Sequence, residues 1–184
     1  RRLGWIAVPA AFLLGAAAAA LWMQSRARPP LPAPIVRPLT YTGRDYSPAV
    51  SPDGKTMAFV ADRDARKRIW LRQIQRGGEQ PVTEGPDDDY PRFSPDAASI
   101  LFVRATREAP AAIYRQSLVG GEVRRVAENA VSADWSPDGR QIAFVRWGLE
   151  GQRDISQIWL TAPDGSGARE IHRADGQLAG PRFS

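Results

Sequence analysis

Pro48-Ala49-Val50-Ser51-Pro52-Asp53-Gly54 is the stretch that decides how this chain of 184 residues folds, because its pattern recurs. Two further copies occupy 91–97 and 133–139, and a fourth begins at 181. From one serine to the next, at positions 51, 94, 136 and 184, the interval is 43, 42 and 48 residues. A period of about 40–45 residues is typical of four-stranded propeller blades or of paired helices.

The sequence between the copies distinguishes strands from helices. A short run of apolar, β-branched and aromatic residues follows each copy, and a second run carries an aromatic residue at a fixed position. The first runs are 56–61, 99–104 and 141–146, the second are 68–71, 112–115 and 157–160, and a third set lies at 80–83, 123–126 and 169–172. Short runs bounded by Pro, Asp and Gly are typical of strands. Four strands per repeat predict an all-β fold, a partial β-propeller.

The beginning of the repeat region is similar to the last strand of a repeat. Thr40 lies 11 residues before Ser51, as Thr83 lies 11 residues before Ser94. Propellers commonly close their ring by pairing an N-terminal strand with the last blade, which removes exposed edges. We therefore expect an incomplete propeller at 37–184. Its predicted parts are a closing strand at 37–43, blades at 44–85, 88–129 and 131–176, and the start of a fourth blade.

The Ser-Pro-Asp box of each copy is predicted to form a turn between the first two strands of a blade. Proline presets φ for a turn, the aspartate accepts hydrogen bonds from following N–H groups, and glycine tolerates positive φ. Ala97 stands where two other copies have glycine, and a positive φ there costs about 1 kcal/mol. The residues assigned a structural turn role are Ser51, Pro52, Asp53, Gly54, Ser94, Pro95, Asp96, Ser136, Pro137, Asp138 and Gly139.

An apolar segment precedes the repeats. Residues 3–23 carry no charge, and a helix of this length spans about 31 Å, enough for a bilayer core. Trp5 and Trp22 lie near its ends, where indole rings favour the membrane interface. We expect a transmembrane α-helix with basic flanks at 1–26 and a Pro-rich linker at 27–36 that lifts the propeller off the membrane. A cleaved signal peptide is the alternative.

Charge and cysteine content exclude several classes of protein. The chain has 25 basic and 20 acidic residues, but four arginines and no acidic residue fall within 1–28. The remainder is close to neutral, which gives no support for nucleic-acid binding. The lack of cysteine excludes a disulfide framework and a thiolate nucleophile in these residues. Because the sequence begins without Met and stops inside a repeat, we expect it to be part of a longer protein.

Few side chains of the repeat region suggest chemistry. His172 is the single histidine, and a catalytic relay or metal site needs further partners, so we interpret it as a surface residue. The acidic run 87–89 is interpreted as a solvated loop, with calcium binding as the alternative. The basic residues at 63 and 66–68 are interpreted as a solvated hairpin tip, with an anionic membrane surface or acidic partner as the alternative. We expect no catalytic residue, metal or cofactor here.

The repeats resemble the TolB-type β-propeller family. The resemblance covers 37–184 and rests on Ser-Pro-Asp-Gly-Lys/Arg, then Ile/Met-Ala-Phe, Ile-Trp/Tyr, and Gly-Gly or Asp-Gly. It implies a propeller of about six or seven blades. Such domains occur in envelope proteins, in prolyl-oligopeptidase-type peptidases and outside the membrane in bacterial signalling proteins. The order of span, stalk and repeats is similar to one-pass receptors with a cytoplasmic Ser/Thr kinase or winged-helix regulator.

The expected function follows from this order of segments. The leading hypothesis is a non-catalytic sensor or protein-interaction domain, anchored in the bacterial inner membrane by residues 3–23, with the propeller outside the cytoplasm. Its partner would be a protein, a peptide or a small ligand bound on a propeller face. The alternatives are the outer part of a winged-helix regulator, a periplasmic TolB-like scaffold, and the propeller of a prolyl-oligopeptidase-type hydrolase.

Overall fold

A computed structural model describes residues 16–23, 36, 38–40, 42–178 and 180–183. The chain divides into two compact units, Arg1–Pro38 and Leu39–Ser184. In the first unit, residues 16–23 are helical. Most of the predicted span 3–23 lies outside the described residues, as does most of the predicted linker. Within the described part of the chain, no helix has the length and apolar character needed to cross a membrane.

The second unit contains three antiparallel sheets of four strands each, in the order predicted from the repeats. Sheet 1 contains β1 (Asp45–Val50), β2 (Thr56–Arg63), β3 (Arg66–Gln73) and β4 (Gly77–Pro81). Sheet 2 contains β5 (Asp88–Phe93), β6 (Ser99–Arg104), β7 (Ala112–Ser117) and β8 (Arg124–Ala127). Sheet 3 contains β9 (Ser132–Trp135), β10 (Ile142–Glu150), β11 (Arg153–Thr161) and β12 (Arg169–Asp175). The all-β prediction, with a separate four-stranded sheet per repeat, is confirmed.

The apolar strand after each box is buried on both of its faces. Side chains alternate between the two faces of a strand. In β6, Ile100 and Phe102 pack against Ala58, Val60 and Ile69 of sheet 1. A strand covered on both sides reads as a continuous apolar run, which explains why these segments lack polar alternation.

The opposite face of β6 makes the second interface between sheets. Leu101 and Val103 belong to one buried cluster with Ile142 and Phe144 of sheet 3. The three sheets therefore stack face to face through their second strands, as blades do in a propeller. The innermost strands β1, β5 and β9 lie next to one another in this stack.

The segment predicted as a closing strand has no last blade to pair with among the described residues, so its closing role stays a prediction. Residues 38–40 and 42–44 form no strand, and positions 37 and 41 lie outside the described residues. Leu39 instead packs on the face of sheet 1 turned away from sheet 2, against the cluster of Met57, Phe59 and Ala61. A strand forms only beside a pairing partner. The described residues offer this segment a sheet face rather than a sheet edge.

The stack has two chemically different ends. Strand β1 begins opposite the end of β2, with Asp45 paired to Ala61, so the β2–β3 turn lies where the inner strand starts. We name this the hairpin end; it also carries the β6–β7 and β10–β11 turns. The other end carries the three Ser-Pro-Asp boxes, and we name it the box end. In most propellers, loops at the two ends carry the function while the blades carry the stability.

Candidate functional site

Each box at the box end is a closed hydrogen-bonded turn. Ser94 Oγ donates to Asp96 Oδ1 at 2.5 Å and accepts from Ser99 N–H at 2.9 Å, while Asp96 Oδ1 accepts from Ala98 N–H at 3.0 Å. The same three bonds recur around Ser51 and around Ser136. The serines are buried, so the hydroxyl takes the place of a backbone partner at the strand end. This geometry gives all three boxes the same structural environment.

The box carboxylates are held ionised by these bonds. The serine hydroxyl, followed by a backbone N–H, keeps the pKa of Asp53, Asp96 and Asp138 below its ordinary value. Any stability that this ionisation contributes is present above the ordinary pKa and is lost as the pH falls through the lowered one. Ala97 has φ of +57°, near the +69° of Gly54 and Gly139. The turn therefore requires the left-handed region even where the chain supplies alanine.

An arginine from the second strand covers the aromatic ring of the third strand in every sheet. The pairs are Arg63–Trp70 at 4.1 Å, Arg104–Tyr114 at 5.0 Å and Arg146–Trp159 at 4.4 Å, from the guanidinium carbon to the ring centroid. A guanidinium over an aromatic face is attracted by the ring quadrupole. The interpretation of residues 63 and 66–68 as a solvated tip is therefore wrong for Arg63, which also donates to Glu79 at 2.7 Å.

Asp88, the middle residue of the acidic run, is fully buried at the start of β5. Arg104 Nε and Nη2 donate to its two carboxylate oxygens at 2.6 and 2.9 Å, and Gly85 N–H donates to it at 3.2 Å. The hydrogen bond to Asp88 raises the pKa of Arg104. The interpretation of 87–89 as a solvated loop is wrong at this position. No group of acidic or histidine side chains in the described residues is arranged to hold a metal ion.

The innermost strands carry a bulge ahead of a proline. Ser47, Tyr90 and Gly180 have φ of +49°, +53° and +68°, and each precedes a proline. The pairing of β1 with β2 and of β5 with β6 shifts register at this point. Such bulges redirect a side chain, and a positive φ is costly for an aromatic residue. In sheet 3, where Ala133 replaces the proline, β9 pairs with β10 without a shift.

A cavity of about 450 Å³ opens beside the bulge of β5, between the inner strands of sheets 2 and 3. We call it the inner pocket. Its lining residues are Tyr90, Arg92, Val103, Ala111, Val131, Ser132, Ala133, Trp147, Gly180 and Arg182. Its size is within the range of small-molecule and peptide side-chain sites. The mixture of aliphatic walls, two aromatic rings and two arginines is typical of such sites.

Several contacts fix the shape of the inner pocket. Trp147 Nε1 donates to the carbonyl oxygen of Leu178 at 2.7 Å. Gly180 N–H donates to Ser132 Oγ at 3.2 Å. Arg182 Nη1 donates to Asp134 Oδ2 at 3.1 Å. The segment after β12 is thereby bound to β9 and β10 of sheet 3, and it completes one wall of the cavity.

Arg92 supplies positive charge to the inner pocket without a carboxylate partner among the described residues. Its Nη1 donates to Pro91 O at 2.9 Å, while its Nε is buried and has no hydrogen-bond partner there. Burial, followed by the nearby Arg182 cation, holds the pKa of the Arg92 guanidinium below its usual range, and Asp134 acts in the opposite direction. A buried donor without a partner is costly, and an anion entering the pocket would relieve this cost.

A second cavity, of about 380 Å³, lies at the box end between the boxes of sheets 2 and 3. Its carboxylates, Asp96 and Asp138, are already bound by their own serines. The single histidine, His172, is exposed on the outer strand β12. His172 lines neither of these two cavities. The inner pocket is therefore the candidate site.

Sequence reasoning singled out none of the pocket residues, although one signal was present. Arg92 and Arg182 occupy the same position of the repeated heptad, two residues before the serine. Asp134 occupies that position in the copy between them. Equivalent positions on neighbouring inner strands lie side by side around a propeller axis. The alternation of arginine, aspartate and arginine therefore indicates a charged inner rim.

The chain is built from propeller blades, and a cavity opens between two of its inner strands. The model of the TolB beta propeller domain family matches residues 37–184. The chain belongs to this family.

Curated relatives agree with this assignment. The chain is 29% identical over 146 residues to the uncharacterised protein Atu1656 of Agrobacterium fabrum, covering 73% of this chain and 49% of that protein. It is 30% identical over 105 residues to the uncharacterised peptidase YuxL of Bacillus subtilis, covering 52% and 16% respectively. The chain thus spans at most about half the length of these two relatives.

Solved structures show the same fold. A candidate TolB protein of Agrobacterium tumefaciens is 27% identical, with a TM-score of 0.62 over 75% of this chain and 52% of that one. TolB of Acinetobacter baumannii is 22% identical, with a TM-score of 0.57 over 64% and 29%. An acylaminoacyl peptidase is 18% identical, with a TM-score of 0.56 over 71% and 25%. The last two show the fold alone.

Proposed function

We propose that this chain is the non-catalytic binding domain of a membrane-anchored bacterial signalling protein, with its propeller outside the cytoplasm. The supporting observation is the inner pocket, in which Arg92 lacks a carboxylate partner among the described residues. The uncharged run 3–23 supplies the proposed anchor and the Pro-rich stretch 27–36 the proposed spacer. An upstream Ser/Thr kinase is the proposed output domain, and a winged-helix regulator is its alternative. Both rest on the order of segments.

Cysteine labelling in cells tests the proposed topology, because these 184 residues contain no cysteine. Val119 is 87% exposed in the turn after β7, so Val119→Cys is a suitable reporter in the intact protein. We expect a membrane-impermeant maleimide to label it in cells whose outer membrane is permeabilised and whose inner membrane is intact. Arg1→Cys is the matched control on the other side of the span, and we expect it to react only after the inner membrane is permeabilised. Labelling of both positions, or of neither, before permeabilisation contradicts the proposal.

The propeller of a peptidase is the second candidate, supported by the match to YuxL. In that case a serine hydrolase domain follows the blades, and the inner pocket lies on the route of a peptide towards it. A fluorophosphonate probe distinguishes the two candidates on the intact protein. Covalent labelling selects the peptidase. A lack of labelling, in a sample that still binds ligand at the inner pocket, selects the binding domain.

A further inference from the structure

We infer that the inner pocket binds a monocarboxylate joined to an aromatic or branched apolar group, such as the C-terminal residue of a peptide. This inference deepens the proposed function and rests on it. The charges of the two arginines in the pocket support it. Arg182 already shares its charge with Asp134 at 3.1 Å, whereas Arg92 has no carboxylate partner within the described part of the chain. One positive charge thus remains to be matched, which suits a monoanion better than a dianion.

The nitrogens of Arg92 that have no partner among the described residues suit a planar anion. Arg92 Nη1 is occupied by Pro91 O, and Nε is buried with no hydrogen-bond partner. Nε and the other terminal nitrogen form the side of the guanidinium that commonly receives the two oxygens of a carboxylate. A carboxylate there satisfies a donor that otherwise remains both desolvated and unpaired.

The remaining walls favour an apolar group attached to the carboxylate. Val103 and Ala111 provide an aliphatic surface, and Tyr90 and Trp147 provide two rings. Tyr90 is 53% exposed and Trp147 is 42% exposed, so both rings have free area for a ligand. The indole of Trp147 is fixed by its bond to Leu178 O. Tyr90 is held in the left-handed region, as expected where backbone strain orients a binding side chain.

Calorimetric titration of the intact protein tests this inference with four probes: acetyl-Ala-Ala-Phe with a free C-terminus, its C-terminal amide, 3-phenylpropionate and inorganic phosphate. We expect the free acid to bind at least about tenfold more tightly than the amide, because a charged hydrogen bond is lost in the amide. Equal binding of acid and amide, or the absence of binding by the acids, overturns the inference. Phosphate that binds as tightly as the acid overturns the choice of a monocarboxylate. Tighter binding of the peptide acid than of 3-phenylpropionate identifies a peptide as the source, and the reverse identifies a small free acid.

Variants separate recognition from folding. Arg92→Met preserves length and apolar contact, and we expect it to weaken the free acid by about tenfold or more while leaving the amide unchanged. Arg107→Met is the matched control, because it removes one exposed arginine from the hairpin end of the same sheet outside the inner pocket. Tyr90→Gly removes a ring and relieves a positive φ. We expect a melting temperature no lower than that of the unaltered protein, together with weaker binding of the peptide acid.

The outcomes distinguish this inference from the function on which it rests. If Arg92→Met and Arg107→Met weaken the acid equally, general charge and not the pocket is responsible, and the inference is wrong. That result leaves the labelling of Val119→Cys unaffected. If Tyr90→Gly binds the peptide acid as tightly as the unaltered protein, the aromatic part of the inference is wrong.

Discussion

Sheets 2 and 3 have the same strand order but differ at their inner strands. In sheet 2, the inner strand starts with the buried pair Asp88–Arg104 and bulges at Tyr90. In sheet 3, Ala130 stands at the position of Asp88, and the inner strand pairs regularly. The boxes of the two sheets nevertheless make the same three hydrogen bonds. Features that repeat in every sheet therefore maintain the blade. The inner pocket is lined instead by side chains that differ between the inner strands, Tyr90 and Arg92 in sheet 2 and Ser132 and Ala133 in sheet 3.

In sheet 1, the ion pair at the start of the inner strand is intermediate between those of sheets 2 and 3. Asp45 occupies the position of Asp88, but its closest contact to Arg63 is 3.8 Å and both of its carboxylate oxygens are buried without a hydrogen-bond partner. Arg63 pairs with Glu79 instead. The ion pair at the start of the inner strand is thus loose in sheet 1, tight in sheet 2 and absent from sheet 3.

Breaking the tight pair is expected to have the largest effect. We predict that Asp88→Ala lowers the free energy of unfolding by about 3 kcal/mol, because Arg104 is left mostly buried without its partner. The measurement is urea denaturation of the propeller. Asp87→Ala is the matched control: its exposed pair with Lys67 at 3.4 Å should be worth less than about 1 kcal/mol. If the two variants lower the free energy of unfolding equally, the buried pair stabilises sheet 2 no more than an exposed ion pair does.

Changing the shared feature should affect both sheets alike. We predict that Ser94→Ala and Ser136→Ala each cost about 1–3 kcal/mol, since each leaves a strand-end N–H and an aspartate without the hydroxyl. Thermal unfolding followed by circular dichroism measures both variants. A cost in one sheet that exceeds the other by more than about 1 kcal/mol would show that the boxes are not equivalent.

The smallest effect concerns the one box position that differs. We predict that Ala97→Gly stabilises the protein by about 0.5–1 kcal/mol, because relief of the positive φ exceeds the added flexibility of the unfolded chain. Gly139→Ala is the reciprocal change and should cost about 1 kcal/mol. The new methyl group would meet Pro95 Cδ at an ordinary 3.7 Å, so the cost is conformational. Shifts of the melting temperature with the same sign for both variants would contradict this explanation.

The sheets were predictable because their signals are local and repeated. Serine boxes, apolar second strands and aromatic third strands recur at a constant interval, so each copy supports the interpretation of the others. The exact ends of the strands were harder to predict from the sequence. The last strand of the first repeat was expected at 80–83 but spans Gly77–Pro81, and Val82 still donates to Ile69 O at 2.8 Å beyond it.

The buried ion pair and the inner pocket were not predictable from single residues, because both depend on which strands become neighbours. Asp88 lies between two other aspartates, and acidic runs are mostly solvated, yet the pairing of β5 with β6 places it opposite Arg104. Arg92 and Arg182 are separated by 90 residues and meet only because the inner strands stand side by side. Repeat register contained this information, whereas composition and motif spacing did not.

A crystal structure of the intact protein with acetyl-Ala-Ala-Phe shows directly whether the inner pocket binds a carboxylate. We predict that the terminal carboxylate lies in the inner pocket, with an oxygen within about 3.2 Å of Arg92 Nε and the phenyl ring against Tyr90 and Trp147. A peptide bound at the box end or on the outer strands, with Arg92 Nε still unpartnered, would contradict it.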